Sequence, residues 1–126
     1  MIDNLQSISS FIDKGKGHVH FVGVCGIGMA GLAFLFKSLG FHVTGCDASC
    51  NNLSGWLDSR GVTVFAGHDR EHISSDVDIV VKTAAVGKDH PEILEAGKRG
   101  VPVAARGAVL AELARRFFSV CVCGTH

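Results

Sequence analysis

The chain has 126 residues, enough for one domain with a sizeable core. Its 12 basic and 12 acidic residues cancel, which argues against a nucleic-acid or charged-membrane partner, since those usually show as a basic excess. Hydrophobic residues make up 47%; this excludes disorder and suits a buried parallel sheet, while no stretch reaches the roughly 18 apolar residues of a membrane span.

In chain order, Ile2, Leu5, Ile8, Phe11 and Ile12 recur at helical spacing and predict a short amphipathic helix. It should pack on the edge of the domain, and Gly15-Lys16-Gly17 should end it. Val19–Val24 reads as a strand, Met29–Leu39 as a helix closed by Gly40, and Phe41–Cys46 as a second strand followed by Asp47. Leu53–Ser59 is expected as a helix capped by Asn51 or Asn52, with Gly61 after it, and Val62–Phe65 as a third strand. Asp69–Ile73 suits one helical turn, and Val77–Lys82 a fourth strand ending at Thr83-Ala84-Ala85-Val86. Pro91 opens a helix to about Lys98, Gly100 closes it, and Val101–Ala104 is a fifth strand. A helix over Ala108–Arg116 and a last apolar strand over Phe118–Cys123 complete the chain. Alternating strands and helices predict an α/β fold: a Rossmann-like, doubly wound parallel sheet of about five strands in three αβα layers.

The five cysteines are odd in number and form no C-x-x-C pair. Cys25, Cys46, Cys121 and Cys123 lie in or beside apolar runs and are expected as reduced thiols. Cys121 and Cys123 would share one face of a strand, but without a second ligand pair no metal site is read there. Met1–Gly17 has neither the basic start nor the apolar stretch of a signal peptide, so the cytoplasm is the expected location.

The chemistry concentrates at His18–Gly31, H-V-H-F-V-G-V-C-G-I-G-M-A-G. Gly26, Gly28 and Gly31 fit G-x-G-x-x-G between a strand and a helix. Gly26 is expected to permit the tight turn, Gly28 to let a diphosphate approach the backbone, and Gly31 to let the helix lie close on the sheet. The helix N-terminus then offers its N–H groups to an anion. Asp47 lies where a Rossmann unit places its ribose-binding carboxylate, although an acid there would also suit a turn cap. Ligands of such sheets bind beyond the carboxyl ends of the strands, so Gly26–Met29, Asp47–Ser49, Thr83–Val86 and Ala105–Gly107 should meet in one crevice. These residues point to a nucleotide carrying a diphosphate. A nicotinamide dinucleotide and a sugar nucleotide fit equally at this level.

The stretch His20–Gly31 resembles the opening motif of the Mur ligase family. Gly45-Cys46-Asp47, Gly67-His68-Asp69, Thr83-Ala84-Ala85-Val86, Pro91-Glu92, Pro102-Val103 and Ala111-Glu112-Leu113 agree with it in order. Gly124-Thr125-His126 is similar to the start of that family's ATP-binding loop, G-T-H-G-K-[ST]. The resemblance covers roughly residues 18–126. It implies a three-domain cytoplasmic ligase of peptidoglycan synthesis in which ATP, with Mg²⁺, phosphorylates the carboxylate of UDP-N-acetylmuramate and the amine of L-alanine attacks the acyl phosphate.

On this resemblance, residues 1–17 are an N-terminal helix and linker. Residues 18–117 are the UDP-sugar-binding domain. Residues 118–126 begin a truncated ATP-binding domain, so the chain is expected as a fragment not catalytic alone and binding neither ATP nor Mg²⁺ by itself. The N–H groups of Gly26, Ile27, Gly28 and Met29 would cradle the UDP diphosphate. Asp47 would accept from the uridine, with Ala48 and Ser49 lining the pocket. Thr83, Ala84 and Ala85 would flank the diphosphate or sugar, and Arg106 would pair with a phosphate or the muramoyl carboxylate. His68 joins this set through its motif, whereas His18, His20, His42, His72 and His90 are read as structural or exposed. Cys25 stands where the family usually has glycine, Cys46 where it has serine, Ala105 where it has histidine and His90 where it has asparagine. Cys25 is therefore expected to put a Cβ beside the diphosphate. A tripeptide-adding sibling of the same family and a stand-alone NAD(H)-binding redox module are the alternatives.

Overall fold

The structure is a computed structural model that describes residues 5–48 and 52–124; the side chains of residues 5, 6, 27 and 118–124 are outside the description. Five parallel strands form one sheet in the order β3-β2-β1-β4-β5. The strands are β1 (His18–Val22), β2 (His42–Asp47), β3 (Thr63–Ala66), β4 (Ile79–Lys82) and β5 (Val103–Ala105). The helices are α1 (Leu5–Lys14), α2 (Ile27–Ser38), α3 (Asn52–Ser59), α4 (Pro91–Lys98) and α5 (Arg106–Gly124), with a 3-10 turn at Arg70–His72. The doubly wound Rossmann-like sheet expected from the alternation of elements is the fold observed. Among the described residues, no helix is long and apolar enough to cross a membrane.

β1 is buried along its whole length because it pairs on both sides, with β2 from His18↔His42 to Val22↔Cys46 and with β4 from Val19↔Ile79 to Phe21↔Val81. Alternate residues serve opposite faces. Val19 and Phe21 of β1, Val43 of β2 and Val81 of β4 join the larger core with α1, α2, α3 and α5. Val22, Cys46, Val80 and Val103 join the second core beneath α4 and the 3-10 turn.

Phe11 carries α1 into the larger core, stacking on Phe41 at 4.8 Å, while Phe36 meets Phe41 edge-on at 5.3 Å. Burying one such ring contributes on the order of 2–3 kcal/mol. Arg116 of α5 clamps α1 from outside, donating to Asp13 Oδ1 at 2.6 Å and to Ser9 Oγ at 2.8 Å. The first helix therefore packs on the domain edge, as its pattern predicts; Ile2 lies outside the described residues.

Two local expectations change. The run Phe118–Cys123, expected as a strand, is helical and continues α5. No proline or glycine interrupts Ala108–Cys123, and a helix satisfies its own backbone groups where a strand would need a partner. The helix also starts at Arg106 rather than Ala108.

Candidate functional site

The turn from β1 into α2 is tighter and earlier than the G-x-G-x-x-G spacing suggests. Gly23 adopts φ 79°, which a side chain would oppose. Its N–H and that of Val24 both donate to the Cys46 carbonyl, at 2.8 and 2.9 Å. Gly26, expected to make the turn, is extended at φ −65° and ψ 147° and caps α2 without a side-chain hydrogen bond. The reversal is complete by Gly23 because β2 supplies an acceptor there. Gly31 is also corrected: a Cβ on it would meet nothing within 4 Å, so it does not permit close helix–sheet contact. The close approach is instead between β2 and the turn, at Gly45, where a Cβ would fall 2.5 Å from Val24 Cβ.

The Gly26 N–H donates back to the Gly23 carbonyl at 3.2 Å, and the first intrahelical bond is Ala30 N–H to the Gly26 carbonyl at 2.8 Å. The N–H groups of Ile27, Gly28 and Met29 precede that bond and have no intrahelical acceptor. Together with the helix dipole they make a small positive pole. Asp47, at the end of β2, fixes the turn from the other side: its Oδ2 accepts from the Cys25 N–H at 2.9 Å. The Cys25 side chain is buried in the larger core rather than set beside the open face of the turn.

A cavity of about 450 Å³ opens here, lined by Gly23, Gly26, Gly28, Met29, Asp47, Thr83 and Arg106. It lies beyond the carboxyl ends of β1, β2, β4 and β5, at the point between β1 and β4 where the strand order reverses. Arg106 is the first residue of α5, and its guanidinium lies over the turn: a Cβ on Gly28 would be 2.8 Å from Arg106 Nη1. Its charge therefore adds to the helix pole, an arrangement that can take an anion.

Ala84 and Ala85 follow Thr83 in an exposed turn; Ala48 is exposed after β2, and Ser49 lies outside the described residues. Gly124 ends α5, and Thr125 and His126 also lie outside the description. Lys82, which sequence reasoning passed over, is buried and donates to the Val86 carbonyl at 3.0 Å. It pins the turn that carries Thr83. Only its place as the last residue of an apolar strand marked it.

His68 is not in this cavity. It borders a separate groove with Asp69, Arg70 and Pro91. Its Nδ1 lies 3.2 Å from Cys46 Sγ and 3.8 Å from Glu92 Oε2. Glu92 is fully buried and draws four donors: His20 Nε2 at 2.6 Å, Cys46 Sγ at 2.9 Å, His72 Nδ1 at 2.8 Å and the Asp69 N–H at 3.1 Å. Burial pushes its carboxyl up, but the hydrogen bonds from His20, Cys46 and His72 together outweigh that and hold it at about 2. Burial, and then the bond to Glu92, push the Cys46 thiol well above its ordinary range.

A family model described as "Mur ligase family, catalytic domain" matches residues 18–118. The chain is 47% identical over 122 residues to the UDP-N-acetylmuramate–L-alanine ligase of Syntrophus aciditrophicus (strain SB), covering 97% of this chain and 25% of that protein. It therefore spans about a quarter of the length of such curated relatives. Among solved structures, a UDP-N-acetylmuramate-alanine ligase from Thermotoga maritima superposes with a TM-score of 0.75 at 33% identity, covering 79% of this chain and 23% of that one. A murein peptide ligase from Psychrobacter arcticus 273-4 gives 0.71 at 32%, covering 76% and 20%.

Proposed function

The chain belongs to the Mur ligase family, and from that premise we propose that it is the UDP-N-acetylmuramate-binding portion of an alanine-adding, ATP-dependent ligase of peptidoglycan synthesis. The observation that carries this reading is the convergence of the α2 N-terminus, Asp47, Thr83 and Arg106 on one cavity. The high identity to alanine-adding relatives supports the choice of member.

In this reading the diphosphate sits on the N–H groups of Ile27, Gly28 and Met29, with the Gly26 N–H retained by the turn. Arg106 forks onto a phosphate or the muramoyl carboxylate. Asp47, already oriented by the Cys25 N–H, accepts from the uridine, since a carboxylate can take several donors. Thr83 offers a hydroxyl to the diphosphate, and Ala84, Ala85 and Ala48 leave room at the rim. His68, with its ring turned toward Cys46, braces the end of β2 rather than touching phosphate. The chain binds and orients the acceptor sugar.

ATP and Mg²⁺ would supply the phosphoryl step in such a ligase. Gly124, Thr125 and His126 would begin the loop that holds the ATP phosphates. Residues 118–126 as the start of an ATP-binding domain, and a cytoplasmic location, belong to the same proposal.

A second member of the family is favoured by one observation, the likeness to the murein peptide ligase at nearly the same TM-score. Both readings share the UDP-sugar cavity. Calorimetric titration with UDP-N-acetylmuramate, with NADH as comparison, tests the shared part. Selective UDP-sugar binding that is lost in Arg106→Ala supports it; NADH binding without UDP-sugar binding overturns it.

A further inference from the structure

We propose that His20, Cys46 and Glu92 form a closed site for a zinc-class divalent metal ion, within the second core and apart from the nucleotide cavity. The three side chains come from β1, β2 and the start of α4, and their exposures are all 0%. One donor atom from each, an imidazole nitrogen, a thiol sulfur and a carboxylate oxygen, lies within 4.8 Å of the others. Nitrogen, thiolate and carboxylate are the donor set that zinc takes, and thiolate argues against magnesium or calcium. The thiolate and the carboxylate together carry two negative charges, which balance a divalent ion in a place without water to screen it.

His68 Nδ1, outside this trio but 3.2 Å from Cys46 Sγ, would have to swing in as the fourth ligand. The present spacings of 2.6 Å and 2.9 Å from Glu92 Oε1 to His20 Nε2 and Cys46 Sγ are those of hydrogen bonds. Metal bonds of about 2.0–2.3 Å in a tetrahedron need edges of about 3.3–3.7 Å. The Glu92 carboxylate thus has to retreat by somewhat under about 1 Å as the ion replaces the protons.

A second observation points the same way. His20 Nδ1 lies 2.8 Å from Thr44 Oγ1, and Thr44 Oγ1 lies 2.7 Å from His18 Nε2. With His20 Nε2–H donating to Glu92, neutral His20 accepts from the Thr44 hydroxyl, and Thr44 accepts from His18 Nε2–H. That order leaves His18 Nδ1 bare, 3.2 Å from the Asp76 carboxylate, and this buried nitrogen has no hydrogen-bond partner. A metal on His20 Nε2 moves the His20 proton to Nδ1. The Thr44 hydroxyl then turns to His18 Nε2, and His18 Nδ1 carries a proton toward Asp76. The ion thus removes the conflict and gains an oriented ligand through Thr44, the usual role of a partner behind a metal-bound histidine. The thiol loses its proton to solvent as the sulfur–metal bond forms, so one proton leaves per ion bound.

The test uses the 126-residue chain stripped by a chelator and titrated with cobalt(II) chloride and then zinc(II) chloride. The expected result is one ion per chain, the intense visible absorption of tetrahedral cobalt, a thiolate-to-cobalt charge-transfer band, and release of one proton. Cys46→Ser keeps a donor to Glu92, so the fold should survive by circular dichroism. It should lose the charge-transfer band and weaken zinc at least 100-fold, while Thr44→Val should weaken zinc about 10–100-fold. The cluster of His18, His42 and Asp76 is the competing location. Binding abolished by His42→Ala but unchanged by Cys46→Ser overturns the proposal, as does an octahedral cobalt spectrum or no binding at all.

Discussion

Gly28 and Arg106 occupy the same small space: a Cβ on Gly28 would lie 2.8 Å from Arg106 Nη1 and 3.3 Å from its Cζ. The glycine therefore serves the arginine as well as any ligand. Gly28→Val should push the guanidinium off the turn and narrow the cavity. We expect UDP-N-acetylmuramate affinity to fall at least tenfold by calorimetry with little change in thermal stability, because the obstructing atoms end a flexible side chain. Arg106→Ala should lose about 1.5–3 kcal/mol of binding, the worth of a charged hydrogen bond. Unchanged affinity in both variants would remove Arg106 from the site.

Asp47 holds a structural and a ligand-facing role together. Its Oδ2 satisfies the Cys25 N–H. Asp47→Ala should therefore cost about 1–3 kcal/mol in urea unfolding, the penalty for a part-buried donor left without its acceptor. Asp47→Asn keeps an acceptor and should be nearer to wild type in stability. A loss of UDP-sugar affinity that persists in Asp47→Asn would separate the second role from the first.

Gly45 is the position where β2 passes closest to the turn. A Cβ there would stand 2.5 Å from Val24 Cβ and 2.8 Å from both of its methyl carbons. Gly45→Ala should destabilise by about 1–3 kcal/mol, as overpacking of a close contact does. Because the clash is with one side chain, Val24→Ala in the same chain should recover part of the loss. A double variant no better than the sum of the two singles would place the strain elsewhere.

The clamp between α1 and α5 should respond to acid. Hydrogen bonding from Arg116 holds the Asp13 carboxyl below its ordinary range, and Arg115 and Arg116 do the same for Glu112. Groups depressed in this way stabilise the folded chain above their unfolded values and lose that effect as pH falls through the folded ones. The difference in urea midpoint between the wild type and Arg116→Ala should be largest near neutrality and shrink as pH falls below the ordinary carboxylate range. Exposure of Asp13 keeps the effect small. A difference that grows toward acid would contradict this sign.

The strand–turn–helix unit and the meeting of four distant stretches were legible because each is local or topological. The run around Gly23 carries its own punctuation, and parallel order sends every strand end to one side. Which glycine reverses the chain was not legible: that depends on the Cys46 carbonyl waiting at Gly23, a contact across 23 residues. Gly31 fits a spacing rule, but its open surroundings follow from how α2 is rotated on the sheet. The Phe118–Cys123 run is apolar enough for either helix or strand, and only continuity with α5 decides. His20 and Cys46 could have been placed on one sheet face from alternation alone. The arrival of Glu92 between them could not, because it depends on where α4 docks. Arg106 lines the cavity where the sequence reading placed it, while Lys82 was missed because its role is to hold backbone carbonyls, which leave no mark in the sequence.

The central place of β1 also sets an order of assembly. β1 meets β2 24 residues later in the chain, at His18↔His42, and meets β4 60 residues later, at Val19↔Ile79. Closing the longer loop costs about 0.8 kcal/mol more in chain entropy, and it is rewarded only after the intervening segments have found their places. The βαβ unit β1–α2–β2, with the Gly23 turn locked by the Cys46 carbonyl, can therefore act as the folding nucleus. Substitutions such as Gly45→Ala should slow folding, whereas changes in β5 or at Arg106 should mainly speed unfolding. The positive pole of the cavity is then built before the chain has delivered Thr83 and Arg106 to its other wall.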